Sequence, residues 1–522
     1  MILKYRYLLG GLAVWATLST ASILYFSFTN LRYDVVSGDD ESPSRVLYAA
    51  HLPAARKRLN KSNYNYSYSN NLSPDVDQLT EKDMFVNPVH VNVNRNPKTK
   101  KTVMKNGMFQ PNYTDMNVDM FLRTLSKQDK AVLRVNNSRE HYPSYLKQIR
   151  EKPEKRNSPR LPSYKKYTGS THWETFHKGI RQDSLYDPDD PVIEALLKDI
   201  SLLPITDVEQ KEGGTQLKLI ITFEDDGQTL FKPMRFSRDT ETLPNHFYFS
   251  DYERHHAEIA AFHLDRILGF YRIPPTTGRT VNMTSELKQT ANHKLQKTFF
   301  ISPVNNLCFT GSCSYYCDSG HAICGNPDML EGSFAAFLPP TKMASRKTWR
   351  NPWKRSYSKH RKAYWEVYDD LCEKVRNRPP YNSGRRLLDL MDLAVFDFLQ
   401  GNLDRHHYET FVDFGNDTFL LHLDNGRGFG KQTHDELSCL APVTQCCLVR
   451  KSTFLKLVKF YLGPDSLSSL MRRSMVADPA SPVLTELHMD ALDRRVVKIL
   501  SVLADCVHKG KSISKVIVDD KI

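Results

Sequence analysis

Two aspartates define the chemistry that this chain could perform. Asp404 lies in the run Gly401-Asn-Leu-Asp404-Arg-His-His-Tyr-Glu409, a short polar loop after a long apolar segment. Asp424 follows where the apolar stretch Thr418-Phe-Leu-Leu-His-Leu meets Asn425, Gly426 and Gly428. Phosphoryl transfer is staged in this way: one carboxylate orients the acceptor hydroxyl, and another holds the divalent cation on the ATP phosphates. Either aspartate alone reads as an ordinary loop residue, whereas the pair at two element ends with a strand between them carries the signal. Basic groups must also reach the phosphates, and Lys218 and Lys232 on the strands of a hairpin are the candidates. Gln216 is two positions from Lys218 and shares its face in an extended chain. His406 and His407, adjacent in a polar loop, are expected to hydrogen-bond rather than to bind metal.

These residues need rigid elements behind them. Arg385 to Gln400 reads as a helix, with Leu387, Leu390, Met391, Ala394, Val395 and Phe398 at three- and four-residue steps. Gly401 then ends it as a C′ glycine. Thr215 to Phe223 and Gln228 to Phe236 read as a hairpin turning at Glu224-Asp-Asp-Gly227. Gly213-Gly214 before it is a weak signal for a pliable loop over phosphates. Ser250 with Glu253 forms a capping-box pattern ahead of a helix over Ala257 to Ile267. Trp173 and Val192 to Leu203 suggest earlier helices, and Thr453 to Leu462 and Leu484 to Val507 later ones. Sheet first and helices after is a two-lobed α+β layout.

The chain has 522 residues, formal charge +13 and nine cysteines. Leu8 to Phe28 is an almost uncharged stretch long enough to span a bilayer, and Lys4 and Arg6 before it favour a cytoplasmic N-terminus. A signal anchor is preferred over a cleaved signal peptide, and either sends the remainder into the secretory lumen. Residues 29–165 are polar and poor in apolar pattern, so a mostly disordered stem is expected. The basic stretch Arg56-Lys-Arg-Leu59 within it suits a processing protease or merely a solvated segment. Asn-x-Ser/Thr sequons at Asn60, Asn65, Asn71, Asn112, Asn136, Asn282 and Asn416 are glycosylation candidates. Cys308, Cys313, Cys317 and Cys324 run as one cluster, which reads as disulfides more readily than as two separated zinc-binding pairs. The positive charge would suit nucleic acid, but a luminal chain meets none; acidic proteins and acidic glycans remain.

The segments FKPM (231–234), FYFSDYERHHAEIAAFHLDRIL (247–268), KTWRNPWKRSY (347–357), FDFLQGNLDRHHYETF (396–411) and HLDNGRGFG (422–430) resemble the secretory-pathway kinase family with sequence similarity twenty, most closely its protein-kinase branch. The resemblance covers about Gly213 to Cys506. It implies an atypical two-lobed protein-kinase-like fold stabilised by disulfides, behind an anchor at 8–28 and a stem at 29–165. The kinase domain would run over 166–522, with an N-lobe to about 340 and a C-lobe from about 341. It implies Asp404 as catalytic base and Glu253 and Asp424 as metal ligands. Gln216, Lys232, Ala335, Ala336, Phe337, Leu338, Glu409 and Asp424 become ATP contacts, with Lys218 and Glu258 in support. The implied disulfides are Cys308–Cys324, Cys313–Cys317, Cys372–Cys446 and Cys447–Cys506, with Cys439 unpaired.

The same resemblance implies ATP and Mn2+ as cofactors, with Mg2+ an alternative, and residence in the Golgi membrane or lumen with secretion after stem cleavage. Expected substrates are secreted proteins at Ser-x-Glu sites, and the expected partner is a second copy or an inactive paralogue. No GxGxxG precedes the first strand, Asp424-Asn-Gly replaces DFG, and Glu409 stands where ordinary kinases place an asparagine metal ligand. Oxygen donors of this kind suit a hard divalent ion. The family also holds a proteoglycan xylose kinase and an inactive member with glutamine at the position of Glu253, so a glycan kinase and an activating scaffold are the alternatives. Nine basic residues between Lys342 and Lys362 (Lys342, Arg346, Lys347, Arg350, Lys354, Arg355, Lys359, Arg361 and Lys362) read mostly as a solvated face, with one or two expected to hold the acidic substrate residue.

Overall fold

A computed structural model describes residues 115–128, 158–161, 170–243, 246–358 and 360–519. Segments 8–28 and Arg56–Leu59, the sequons Asn60, Asn65, Asn71, Asn112 and Asn136, and Lys359 lie outside them. Among the described residues no helix is long and apolar enough to cross a membrane.

The N-lobe is an antiparallel five-stranded sheet of β1 (Ile205–Gln210), β2 (Leu219–Phe223), β3 (Gln228–Pro233), β4 (Thr276–Asn282) and β5 (Met329–Ala336), in the order β1-β2-β3-β5-β4. β2 alternates buried and half-buried positions, which places Leu219, Ile221 and Phe223 in the core. The expected hairpin is therefore β2–β3, but β1 precedes it, and Gly213-Gly214 lies in the β1–β2 connection rather than ahead of the sheet. Strand geometry begins at Leu219, not Thr215. Residues 215–218 are pulled out of the ladder: the Gln216 amide donates to Asp251 O at 2.9 Å, and Tyr315 N–H bonds to Thr215 O.

Helices α1 (Asp115–Gln128), α2 (His172–Gly179) and α3 (Pro191–Leu202) precede the sheet, and α4 (His255–Leu268) packs on β4 and β5. α1 departs from the expected disordered stem. Val118, Phe121, Leu122 and Leu125 form one buried stripe against the C-lobe, with Phe121 edge-on to Phe454 at 6.2 Å. Four apolar residues in a polar third of the chain are invisible to composition, yet burying one such side chain fully contributes about 2 kcal/mol.

The expected capping box does not form. Ser250 Oγ donates to Phe247 O within a 3-10 turn, Arg254 is the N-cap without a side-chain bond, and residues 251–254 run on before the helix starts. Glu253 N–H is taken instead by Gln216 Oε1 at 3.0 Å, which releases the Glu253 carboxylate from capping.

In the C-lobe, α5 (Arg386–Gln400) is buried along almost its whole length and packs against α8 (Glu486–His508). α6 (Lys451–Leu462) and α7 (Leu467–Met475) complete the bundle around α8. Gly401 ends α5 at φ 73°, a conformation that costs an L side chain energy. A two-stranded ribbon, β6 (Arg346–Arg350) with β7 (His407–Phe411), extends from the loop that follows.

The four disulfides join the pairs that the resemblance implied, Cys308–Cys324, Cys313–Cys317, Cys372–Cys446 and Cys447–Cys506, so no cysteine of the first cluster is left for zinc. Cys439 is free, and burial pushes its thiol up to about 12. Of the two described sequons, Asn416 is exposed in a loop, whereas Asn282 caps a π-helical turn through its side chain.

Candidate active site

Gly401 stops α5 so that residues 402–406 form a braced loop. Asn402 Oδ1 accepts from Asp404 N–H at 3.0 Å, and Asn351 fastens the far side through the carbonyls of Arg405 and His406. Arg405 is buried and joins this loop to the next: it pairs with Asp397 at 2.9 Å and donates to Asn425 Oδ1 at 2.7 Å and to Leu423 O. Asp404 and Asp424 are thus held relative to one another through one guanidinium.

Asp424 adopts φ 60°, an uncommon conformation for a residue with a side chain. The turn it begins is packed tightly, because a Cβ on Gly426 would lie 3.1 Å from Glu253 Cβ and 3.3 Å from Lys232 Nζ. A larger residue at 426 would need Glu253 or Lys232 to give way by a few tenths of an ångström.

Lys232 on β3 is the hub. Its Nζ lies 2.5 Å from Glu258 Oε1 on α4, 2.7 Å from Asp424 Oδ1 and 3.0 Å from Glu253 Oε2. Lys218 approaches Glu253 at 3.4 Å and Asp424 at 3.6 Å. Burial opposes the charge on Lys232, but Asp424, Glu253 and Glu258 outweigh it and hold the ammonium well above its ordinary range. Lys218 and Lys232 keep Asp424 well below the usual carboxylate range. Burial would raise Glu253, yet the same two lysines lower it on balance. Lys232, Asp424 and Glu253 are therefore charged at neutral pH.

Asp404 sits beside this cluster with partners of its own. Arg427 Nη1 donates to Oδ2, while Tyr357 Oη lies 3.4 Å and His406 Nδ1 3.3 Å from Oδ1. The bond to Asp404 raises the His406 pKa. Glu409 is on the ribbon, where Arg346 Nε donates to it at 3.0 Å. Ala335 and Ala336 end β5, and both polar groups of the Phe337 backbone are engaged, N–H to Gln228 O and C=O to His177 Nε2; buried Leu338 follows. The structure brings Gln216, Lys218, Lys232, Glu253, Glu258 and Asp424 into one cleft and puts Asp404 at its side. Arg427, Tyr357 and Arg346 were given no role from the sequence beyond their place in matching or basic blocks. Residue type alone does not distinguish them from surface residues.

Among the described residues no three His, Cys, Asp or Glu side chains are arranged to hold a metal by themselves. Two carboxylates remain suitable. Glu253 Oε2 is buried with no directed hydrogen bond, and Asp424 is 57% exposed to the cleft. Hard oxygen donors in this number fit a divalent ion that draws its other ligands from nucleotide phosphates and water.

A sequence profile described as Golgi casein kinase, C-terminal, Fam20 matches residues 171–515. The extracellular serine/threonine protein of Drosophila melanogaster is 61% identical over 341 residues, 65% of this chain and 65% of its own length. The human extracellular serine/threonine protein kinase FAM20C is 58% identical over 350 residues, 67% of this chain and 60% of its own. The chain thus spans less than two thirds of these relatives. A crystal structure of the Golgi casein kinase with Mn/ADP bound superposes with a TM-score of 0.70 at 42% identity, covering 81% of this chain and 96% of that one.

Proposed function

The chain belongs to the Fam20 family, and from that membership we propose that it is a secretory-pathway serine/threonine protein kinase that transfers the ATP γ-phosphate to Ser-x-Glu sites of secreted proteins with Mn2+ as cofactor. The observation that carries the reading is Lys232, bridging Glu253, Glu258 and Asp424 at the mouth of a cleft beside Asp404.

Phosphoryl transfer relies on positioning and on charge stabilisation. Asp404 accepts the proton of the acceptor hydroxyl, and its loop is held for that purpose by Asn402 and Asn351. Lys232 and Lys218 contribute positive charge toward the phosphates. Gln216, Ala335, Ala336, Phe337, Leu338 and Glu409 are proposed nucleotide contacts. Glu253 and Asp424 would hold the cation, which supplies charge neutralisation on the β- and γ-phosphate oxygens. Magnesium, which is held at phosphate sites by one or two carboxylates with water, is the alternative that the same donors would accept.

Four of the nine basic residues of 342–362 are engaged by neighbours within the chain. Arg346 pairs with Glu409, Lys347 lies 4.0 Å from the Trp349 ring centroid, Lys354 lies 5.8 Å from that of Tyr357, and Arg355 bonds to Ser438. Arg350 is exposed and directly opposite His407 on the ribbon leaving Asp404, which makes it our choice for holding the acidic substrate residue. Residence in the Golgi lumen behind an anchor at 8–28, later release, and pairing with a second copy or an inactive paralogue complete the proposal.

The decisive assay offers the chain and its Asp404→Asn variant radiolabelled ATP with Mn2+, a Ser-x-Glu peptide and a xylose-containing tetrasaccharide. Labelled peptide from the unmutated chain alone is the expected result. Label on the sugar would make it a glycan kinase, and label on neither would make it a scaffold.

A further inference from the structure

Arg427 is three positions past Asp424, on a turn whose rigidity has been described: Asn425 is clamped by Arg405, and Gly426 packs on Glu253. Its side chain is 10% exposed and spends Nη1 on Asp404 Oδ2. Its Nε is buried without a hydrogen-bond partner. Arg405, one loop away, is the contrast. There Nε and Nη2 bind Asp397, Nη1 binds Leu423 O, and Nη2 also binds Asn425, so the guanidinium is saturated by structure. Arg272 and Arg386 also carry buried unpartnered nitrogens, so what sets Arg427 apart is its place on Asp404, where an unused donor can meet an acceptor.

The position of Arg427 identifies that acceptor. It touches Asp404, and Glu253, Asp424 and Asp251 also act on its charge, so it is within electrostatic reach of the proposed base and the proposed metal carboxylates. Lys218 and Lys232 are already engaged by Glu253, Glu258 and Asp424. Among the described residues, His406 is the one other ion-pair partner of Asp404. A guanidinium on Oδ2 also occupies one of the two oxygens with which Asp404 would receive an acceptor hydroxyl.

We propose that Arg427 is a further catalytic residue of phosphoryl transfer, donating to the γ-phosphoryl oxygens of ATP and, as it does so, yielding Asp404 to the acceptor hydroxyl. The proposal rests on the kinase reading above. In the step, the acceptor oxygen bonds to the γ-phosphorus while the bond from that phosphorus to the ADP oxygen breaks. The bonding pair leaves with ADP, the hydroxyl proton passes to Asp404, and Arg427 stays protonated. An arginine in cis would thereby serve the role that other phosphotransferases give to an arginine finger.

The test uses the full chain, secreted with its disulfides intact, as Arg427→Ala and Arg427→Lys, with melting temperatures recorded to show folding. Arg427→Ala is expected to lower kcat by about 10³-fold and to leave the KM for ATP within about threefold, with part of the loss restored by lysine. The second readout is nucleotide binding with Mn2+. The unmutated chain should bind ADP with aluminium fluoride, which mimics the phosphoryl in transfer, more tightly than ADP alone. Arg427→Ala should lose that tightening and keep its ADP affinity.

A residue acting only through Asp404 gives a different pattern: adding Arg427→Ala to Asp404→Asn would leave the tightening unchanged, and that result overturns the proposal. Arg427→Gln carries the same measurements should the alanine variant fail to be secreted. If the unmutated chain transfers no phosphate to peptide or sugar, the kinase reading fails and this inference with it. If it transfers phosphate and Arg427→Ala matches it, the inference alone fails.

Discussion

Two clusters of charge are buried in this molecule, and they are built on different rules. In the C-lobe, Asp389 and Asp392 of α5 are fully buried among Arg272, Arg385 and Arg450. All four carboxylate oxygens are bonded, the last by Thr453 Oγ1 at 2.7 Å. In the cleft, Glu253, Glu258 and Asp424 pair with Lys218 and Lys232, and Glu258 Oε1 also accepts from Asn425 N–H at 2.9 Å. Both ion pairs of Asp424 go through one oxygen, and the side chain is open to solvent. The closed cluster satisfies every carboxylate oxygen, although Nε and Nη1 of Arg272 are left without a partner. The open one leaves net negative charge and unused oxygens, the imbalance that the proposed cation site requires. Shifted pKa values occur in both: burial would raise Asp389 but its arginines lower it on balance, as the lysines lower Asp424, so a shift alone does not separate structure from function.

The comparison breaks if the two clusters respond alike to mutation. Asp424→Ala should reduce phosphate transfer by about 10³-fold, the several kcal/mol that a bound cation contributes, while the melting temperature holds or rises. Transfer assays with thermal melts on the same preparation decide this. In the closed cluster the sign reverses. Asp389→Ala should cost about 3–5 kcal/mol of stability by orphaning buried arginines, which denaturant titration would read as a lower midpoint. The surviving folded fraction should keep its specific activity.

A subtler change sharpens the contrast. Glu253→Gln keeps the shape of the side chain and removes its charge, so the Mn2+ concentration needed for half-maximal activity should rise about tenfold or more. A titration showing no such rise would remove Glu253 from the cation site.

The smallest effect concerns pH. Asp265 receives N–H bonds from Arg272 and Ile273, and its Oδ1 lies 3.1 Å from His422 Nδ1. Burial outweighs these bonds and pushes its carboxyl up to about 7. The unfolded chain titrates this group near about 3.9, so between that value and about 7 the native state binds more protons. Its contribution to stability is then present at low pH and lost as pH rises through about 7. Asp424 and Glu253, with lowered values, have the opposite sign: their contribution is present above the ordinary carboxylate range and lost only on acidification below it. Melts from pH 5.5 to 8 should therefore carry, against the opposite trend of buried histidines such as His256 and His422 that burial keeps neutral, a decline that Asp265→Asn flattens. An unchanged slope in the variant would assign the decline to another group.

Much of this was legible in the sequence where the signal was local. The three- and four-residue apolar steps of α5, its stop at Gly401 and the following Asp404 loop are all set within a few turns of chain. The errors were local signals overruled from afar. Ser250 and Glu253 carry the capping-box spacing, but Gln216 claims the Glu253 N–H and moves the helix start past Arg254. Thr215 to Lys218 alternate like a strand, but bonds to Asp251 and Tyr315 hold them off the ladder. α1 was missed because its apolar stripe has meaning only against α8 and Phe454.

What the amino-acid order determined by itself was the inventory: which segments become helix or strand, which carboxylates and lysines flank them, and how many thiols seek partners. Only the folded chain decided that Lys232 would meet Glu258, 26 positions away, and Asp424, 192 positions away, and that Arg427 would rest on Asp404. Such pairings carry no sequence periodicity. They form because both lobes bury their apolar faces at once, and that collapse, rather than any attraction between exposed charges in water, brings the groups within reach.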